Sequence, residues 1–154
     1  MPSTNELTVV AAALLIVILC VTFHYEGLRL LSGWLAGKPF NERLRVAGLI
    51  LALLALHVIE ILLFALGYGL MLGVERFGSL LHFGYGDLLV EQPMQLFDYV
   101  YYSATVYTTL GFGDIVPSGP IRALTGSESL CGLVLITWSA SFTFLEMQRH
   151  WGRG

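Results

Sequence analysis

Residues 7–25, 46–72 and 123–145 are three predominantly apolar stretches, each long enough to cross a bilayer as a helix of roughly 20 residues. This constrains the fold more than anything else in the chain. A backbone threaded through hydrocarbon must satisfy its own polar groups, which limits it to helices or closed barrels. Each stretch is read as a spanning helix, so the sequence predicts an all-α membrane protein. In a chain of 154 residues, 56% hydrophobic and 12% charged, little is left for a soluble module. A soluble domain carries about twice that charged share.

The net charge is −3 and no basic cluster occurs, which excludes a nucleic-acid binder. Cys20 and Cys131 both fall in apolar spans and read as small buried residues rather than a disulfide. The leader before the first span carries no positive charge, and no Ala-x-Ala site comes after the span. The first span is therefore expected to be a retained helix rather than a signal peptide.

Six of the eight basic residues lie in two places. Arg29, Lys38, Arg43 and Arg45 separate the first and second spans, and Arg149 and Arg153 lie beyond the third. The positive-inside rule then predicts an external N-terminus, a cytoplasmic first loop, an external 73–122 region and a cytoplasmic C-terminus. Gly33, Gly37 and Lys38-Pro39 are expected to break the first helix, and Asn41 to cap the second. Residues 73–92, rich in glycine and aromatics, read as an interfacial loop ending at Pro93.

A shorter segment, 95–108, suits a re-entrant helix. It holds four tyrosines, Tyr99, Tyr101, Tyr102 and Tyr107, read as a packing collar around the run that comes next. That run is Thr108, Thr109, Leu110, Gly111, Phe112, Gly113 and Asp114. Two glycines one residue apart permit backbone torsions that a side chain would block. Non-helical backbone at membrane depth is tolerated only where it packs in protein or lines a watery path.

This run, with the aromatic helix before it, Val116-Pro117 and Arg122 after it and a span on each side, resembles the selectivity filter of the potassium channel superfamily. It looks like a bacterial two-transmembrane-type pore with one extra N-terminal helix. The resemblance implies three transmembrane helices, a re-entrant pore helix at 95–108 and a filter at 109–114, assembling as a homotetramer in the inner membrane among lipids. It implies passive potassium conduction and no enzymatic step. Backbone carbonyls of Thr109, Leu110, Gly111 and Phe112 would bind K+, with Gly113 completing the strand and Thr108, Asp114, Tyr102, Thr105 and Glu128 supporting it. Potassium ions in the filter would be the sole cofactor. Phe112 stands where tyrosine is commoner, and Thr105 where some relatives carry a glutamate paired to the aspartate at the Asp114 position. A less tightly clamped filter, or a weakly selective monovalent cation channel, is the alternative.

On the same resemblance the third span lines a cavity through Leu133, Ile136, Ala140, Ser141 and Phe144. Gly132 is either a hinge or a close-packing residue. Trp138 is expected to face neighbouring helices or lipid. His57 and Glu60 share one helix face in mid-membrane, where ionisable groups are costly. They are either a structural hydrogen-bonded pair or a proton- or metal-sensing site joined by His24 or Glu128. Glu128 is either a support behind the filter or a protonated structural acid.

Overall fold

The computed structural model describes residues 3–36, 42–83, 89–90 and 94–151. Three long helices run Thr4–Ala36 (α1), Glu42–Leu72 (α2) and Arg122–Trp151 (α4). Each is long and apolar enough to span a membrane, the candidate spans being Thr4–Trp34, Arg43–Leu72 and Gly119–Arg149, the last including the 3-10 turn before α4. A short helix, Leu96–Tyr107 (α3), lies between α2 and α4 in sequence. The protein is an all-α, multi-pass membrane protein with three spans and a short helix between the second and third.

The outward faces explain the composition. Leu14, Leu15 and Ile18 on α1 and Leu51, Leu54, Val58 and Leu66 on α2 are exposed. Apolar surface of this extent is stable in contact with acyl chains rather than water. The inward faces form one core of Val9, Ala13 and Cys20 with Phe64, Tyr68, Tyr102, Val106, Tyr107, Leu124, Cys131 and Leu135. A second cluster joins the other ends of the helices through Leu28, Leu49 and Leu53, with Leu31 and Phe142 against it. Both cysteines are buried and unbonded to each other.

α1 continues through Gly33 to Ala36, so that glycine does not break it. A lone glycine in a helix costs only about 1 kcal/mol, which the flanking helical residues outweigh. Gly37, Lys38-Pro39 and the expected cap Asn41 lie outside the described residues.

The segment expected to be a loop is partly a sheet. After a turn of 3-10 helix at Glu75–Phe77, strand β1 (Ser79–Phe83) pairs antiparallel with β2 (Leu89–Val90) on one side and β3 (Ile115–Ser118) on the other. The register sets His82 opposite Ile115 and Ser79 opposite Ser118. β3 is an edge strand, the position in a sheet that tolerates Pro117 without an N–H. The sheet therefore ties the chain leaving residue 114 to the chain leaving α2. Gly84, Gly86, Asp87, Glu91 and Pro93 are outside the described residues.

Candidate functional site: the pore loop and its supports

α3 starts at a capping box. Gln95 N–H donates to Asp98 Oδ2 at 2.7 Å, and the Gln95 side chain accepts from the Asp98 backbone. This pairing satisfies two of the amides that a helix start leaves open. The helix ends where Thr108 N–H and its hydroxyl both donate to the Ala104 carbonyl, at 3.2 and 2.7 Å.

Beyond it the backbone changes character. Thr109 has φ +62°, Gly111 φ +49° and Gly113 φ +82°, while no positive φ occurs at Leu110 or Phe112. The sign of φ thus alternates over five residues. For a β-branched threonine the left-handed region is an outlier, costing about 1–2 kcal/mol. Strain of this kind persists where the surrounding structure enforces it, and it concentrates at functional sites. A Cβ at Gly111 or Gly113 would meet nothing within 4 Å. The need for glycine there is torsional rather than spatial. Gly111 N–H donates back to the Thr105 carbonyl at 3.0 Å, which holds the first half of the run against the end of α3.

Leu110 and Phe112 are 62% and 65% exposed in the single chain, and Phe97 on α3 is 84% exposed. All of residues 108–114 are exposed.

Asp114 accepts a hydrogen bond from the Tyr101 hydroxyl at 2.7 Å. This bond raises the Tyr101 phenol above its ordinary pKa, since a phenolate would lose the bond and face the carboxylate. Sequence reasoning singled out Asp114 but missed Tyr101 as its partner. Thirteen residues separate them, and only the turn after α3 brings them together. Thr105 instead bonds to the Tyr102 carbonyl at 2.8 Å.

The other tyrosines anchor α3 in the bundle. Tyr102 stands edge-on to Tyr68 of α2, with centroids 5.1 Å apart, and its hydroxyl lies 3.0 Å from Thr125 of α4. Tyr107 donates to Glu60 of α2. Of the expected collar, Tyr101 is thus the member bonded to the run after α3, while Tyr102 and Tyr107 bond to the long helices.

Glu128 is fully buried, and its two oxygens reach different helices. Ser103 Oγ of α3 lies 2.5 Å from Oε1, and the Tyr68 hydroxyl of α2 donates to Oε2 at 2.6 Å. Ser103 Oγ is also 2.8 Å from the Ile61 carbonyl, which can only accept. Its one hydrogen can satisfy both neighbours only if Glu128 itself donates, so the donor count fits the protonated acid. Glu128 therefore joins α2, α3 and α4.

His57 and Glu60 do share a face, and α1 adds His24. His24 Nδ1 lies 2.8 Å from Glu60 Oε1, and His57 Nδ1 lies 3.0 Å from Glu60 Oε2. His24 and Glu60 are fully buried. Glu128 belongs to the separate network described above.

On α4, Gly132 is buried against the end of α3. A Cβ there would stand 2.0 Å from the Tyr107 carbonyl oxygen. The close-packing role is the one this contact requires. Leu133, Ile136, Ala140, Ser141 and Phe144 are all exposed in the single chain. Ser141 and Thr143 bond back to the Thr137 and Ser139 carbonyls, at 3.0 and 2.9 Å. Trp138 packs on α1, with ring centroids 5.4 Å from His24 and 6.4 Å from Tyr25.

A re-entrant helix, a strained turn-back run and a returning span define a membrane pore-loop protein. A family model for ion channels matches residues 56–149, well over half of the chain, and the chain belongs to this ion channel family. The match begins within α2, so α1 precedes it. Neither curated proteins nor solved structures give a match to the chain.

Proposed function

We propose that this ion channel is potassium-selective and acts as a homotetramer, with residues 109–113 of four chains surrounding one axis. The alternation of positive φ at Thr109, Gly111 and Gly113 carries the reading. Alternating handedness turns successive peptide planes the same way, which lets carbonyls line up on one side of the strand. Four such strands present stacked rings of oxygens that replace the hydration shell of K+, and ions move by knock-on between them. Thr109, Leu110, Gly111 and Phe112 supply the carbonyls, and the Thr109 hydroxyl closes the innermost site.

Three further features support this. The C-terminal end of α3 carries partial negative charge and lies directly before the filter, where it favours a cation. The apolar side chains of Phe97, Leu110 and Phe112, exposed in one chain, gain neighbours in a tetramer. Leu133, Ile136, Ala140 and Phe144 recur at helical spacing on an exposed stripe of α4, suited to line a cavity below the filter. Charge distribution favours the inner membrane with the filter exit and sheet outside and the C-terminus in the cytoplasm.

A weakly selective cation channel is the second reading. The observation behind it is Thr105, whose hydroxyl is turned back on Tyr102 and gives the filter no bond.

Purified protein in liposomes should pass rubidium and be blocked by barium. Reversal potentials under sodium against potassium separate the two readings. Gly111→Ala, strained only at φ, should abolish flux while leaving the fold intact. Vesicles sealed to rubidium, or a dimeric particle, would exclude the proposal.

A further inference from the structure

All four helices contribute to one polar cluster inside the membrane-spanning part of the bundle. His24 comes from α1, His57 and Glu60 from α2, Tyr107 from α3 and Ser139 from α4. The ligand-type atoms of His24, His57 and Glu60 all lie within 4.8 Å of one another. Ion conduction through residues 109–113 uses none of these side chains.

We propose that His24, His57 and Glu60 bind one divalent transition-metal ion per chain, of the Zn2+ class. Two imidazoles and a carboxylate are a three-ligand set that zinc uses elsewhere, with a fourth position left open. At metal–ligand distances of about 2.0–2.1 Å, tetrahedral ligands stand about 3.3 Å apart. The observed N···O separations are 2.8 and 3.0 Å. These two contacts are within about half an ångström of that spacing, and all three ligand atoms lie within 4.8 Å of one another.

The fourth position is furnished as well. The Tyr107 hydroxyl oxygen is 2.9 Å from His57 Nδ1 and hydrogen-bonded to Glu60 Oε2. The second coordination sphere is also present on one side. His24 turns Nδ1 to the cluster, and its other ring nitrogen, Nε2, lies 3.3 Å from Ser139 Oγ. Metal-bound histidines characteristically hold their second nitrogen to such a partner, which fixes the ring and the tautomer.

Charge supplies an independent argument. Both ion pairs of Glu60 are with imidazoles. With two neutral imidazoles the cluster carries one net negative charge in a medium where such a charge is expensive. A cation must offset it. A divalent ion on the two Nδ1 atoms does so while both imidazoles stay neutral, each carrying its one hydrogen on Nε2; for His24 that hydrogen faces Ser139 Oγ. A single proton on one imidazole is the competing occupant. A bound ion would connect α1 and α2 to Tyr107, the last residue of α3, one position before Thr108. The site would thereby stiffen the base of the filter run.

The test reads metal directly and does not depend on conduction. Full-length protein in detergent is stripped with chelator and titrated with Co2+. The wild type should develop the intense visible absorption of four-coordinate cobalt, saturate at one equivalent per chain, and lose the band on addition of Zn2+. Zn2+ alone should raise the melting temperature of the wild type by mass action. His57→Asn and Glu60→Gln should each weaken cobalt binding at least about 100-fold, and Ser139→Ala about 10-fold, as expected for removal of an outer-shell partner. Replacing both Cys20 and Cys131 with serine should leave the spectrum unchanged, which excludes thiolate ligation. Variants are compared only after matching the wild type in size-exclusion profile and helical circular dichroism. If a ligand variant fails to fold, the wild-type titration decides alone. No four-coordinate cobalt spectrum in the wild type would overturn the proposal in favour of a proton-held network. Cobalt affinity in His57→Asn and Glu60→Gln equal to that of the wild type would overturn it too.

Discussion

Gly132→Ala puts the packing of α4 on α3 to a quantitative test. The new methyl carbon would lie 2.0 Å from the Tyr107 carbonyl oxygen, 2.8 Å from its carbonyl carbon and 2.9 Å from the ring Cγ. A carbon–oxygen contact requires about 3.3 Å, so the two helices must part by about 1.3 Å at that point. The obstruction is backbone, which cannot rotate aside. Overpacking costs about 1–3 kcal/mol, and a backbone clash belongs at the top of that range, about 3 kcal/mol. The displaced group is the last residue of α3, so the strain reaches Thr108 and Thr109 directly. Unfolding in detergent, followed by circular dichroism, should show the loss of stability, and liposome flux should collapse with it. Gly69→Ala on α2, where a Cβ meets nothing within 4 Å, is the control and should stay within about 0.5 kcal/mol of wild type. A Gly132→Ala protein as stable as wild type would refute the reasoning. If such a protein had altered opening, it would restore the hinge role.

Neighbouring contacts lead to further expected outcomes. Tyr101→Phe removes the hydrogen bond to Asp114 and should shorten open-state lifetime several-fold in single-channel records, with little change in melting temperature because the pair is exposed. Glu128→Gln keeps a donor and an acceptor in place and should leave flux and its pH dependence unchanged. Glu128→Ala leaves Ser103 only the Ile61 carbonyl and Tyr68 only the Thr125 hydroxyl, and should cost about 1–3 kcal/mol in detergent unfolding. Phe112→Tyr restores a hydroxyl to the filter run and should raise potassium over sodium selectivity in reversal-potential measurements.

The three spans were legible because hydropathy over 20 residues is a strong signal, and it survives any error in local detail. α3 was legible from its length, too short to span, and from its aromatic run ahead of the glycine-bearing segment. The sheet was not legible. Ser79–Phe83 and Ile115–Ser118 are short, lack clean alternation and pair across more than thirty residues of intervening chain. The polar cluster was half legible. His57 and Glu60 share a face by helical spacing alone, whereas the docking of His24 depends on how α1 is rotated against α2. Tyr101 and Asp114 are joined by a turn whose positive φ at Thr109 no propensity would assign to threonine.

The pairing of β1 with β3 has a mechanical consequence. The run after α3 is moored at one end by the Gly111–Thr105 hydrogen bond and at the other by Ile115, the first paired residue of β3. Phe112, Gly113 and Asp114 are all that lie between the moorings. Any movement of the sheet relative to the end of α3 must be accommodated by rotation of those few peptide planes, a tether of roughly 13 Å at full stretch from Gly111 to Ile115.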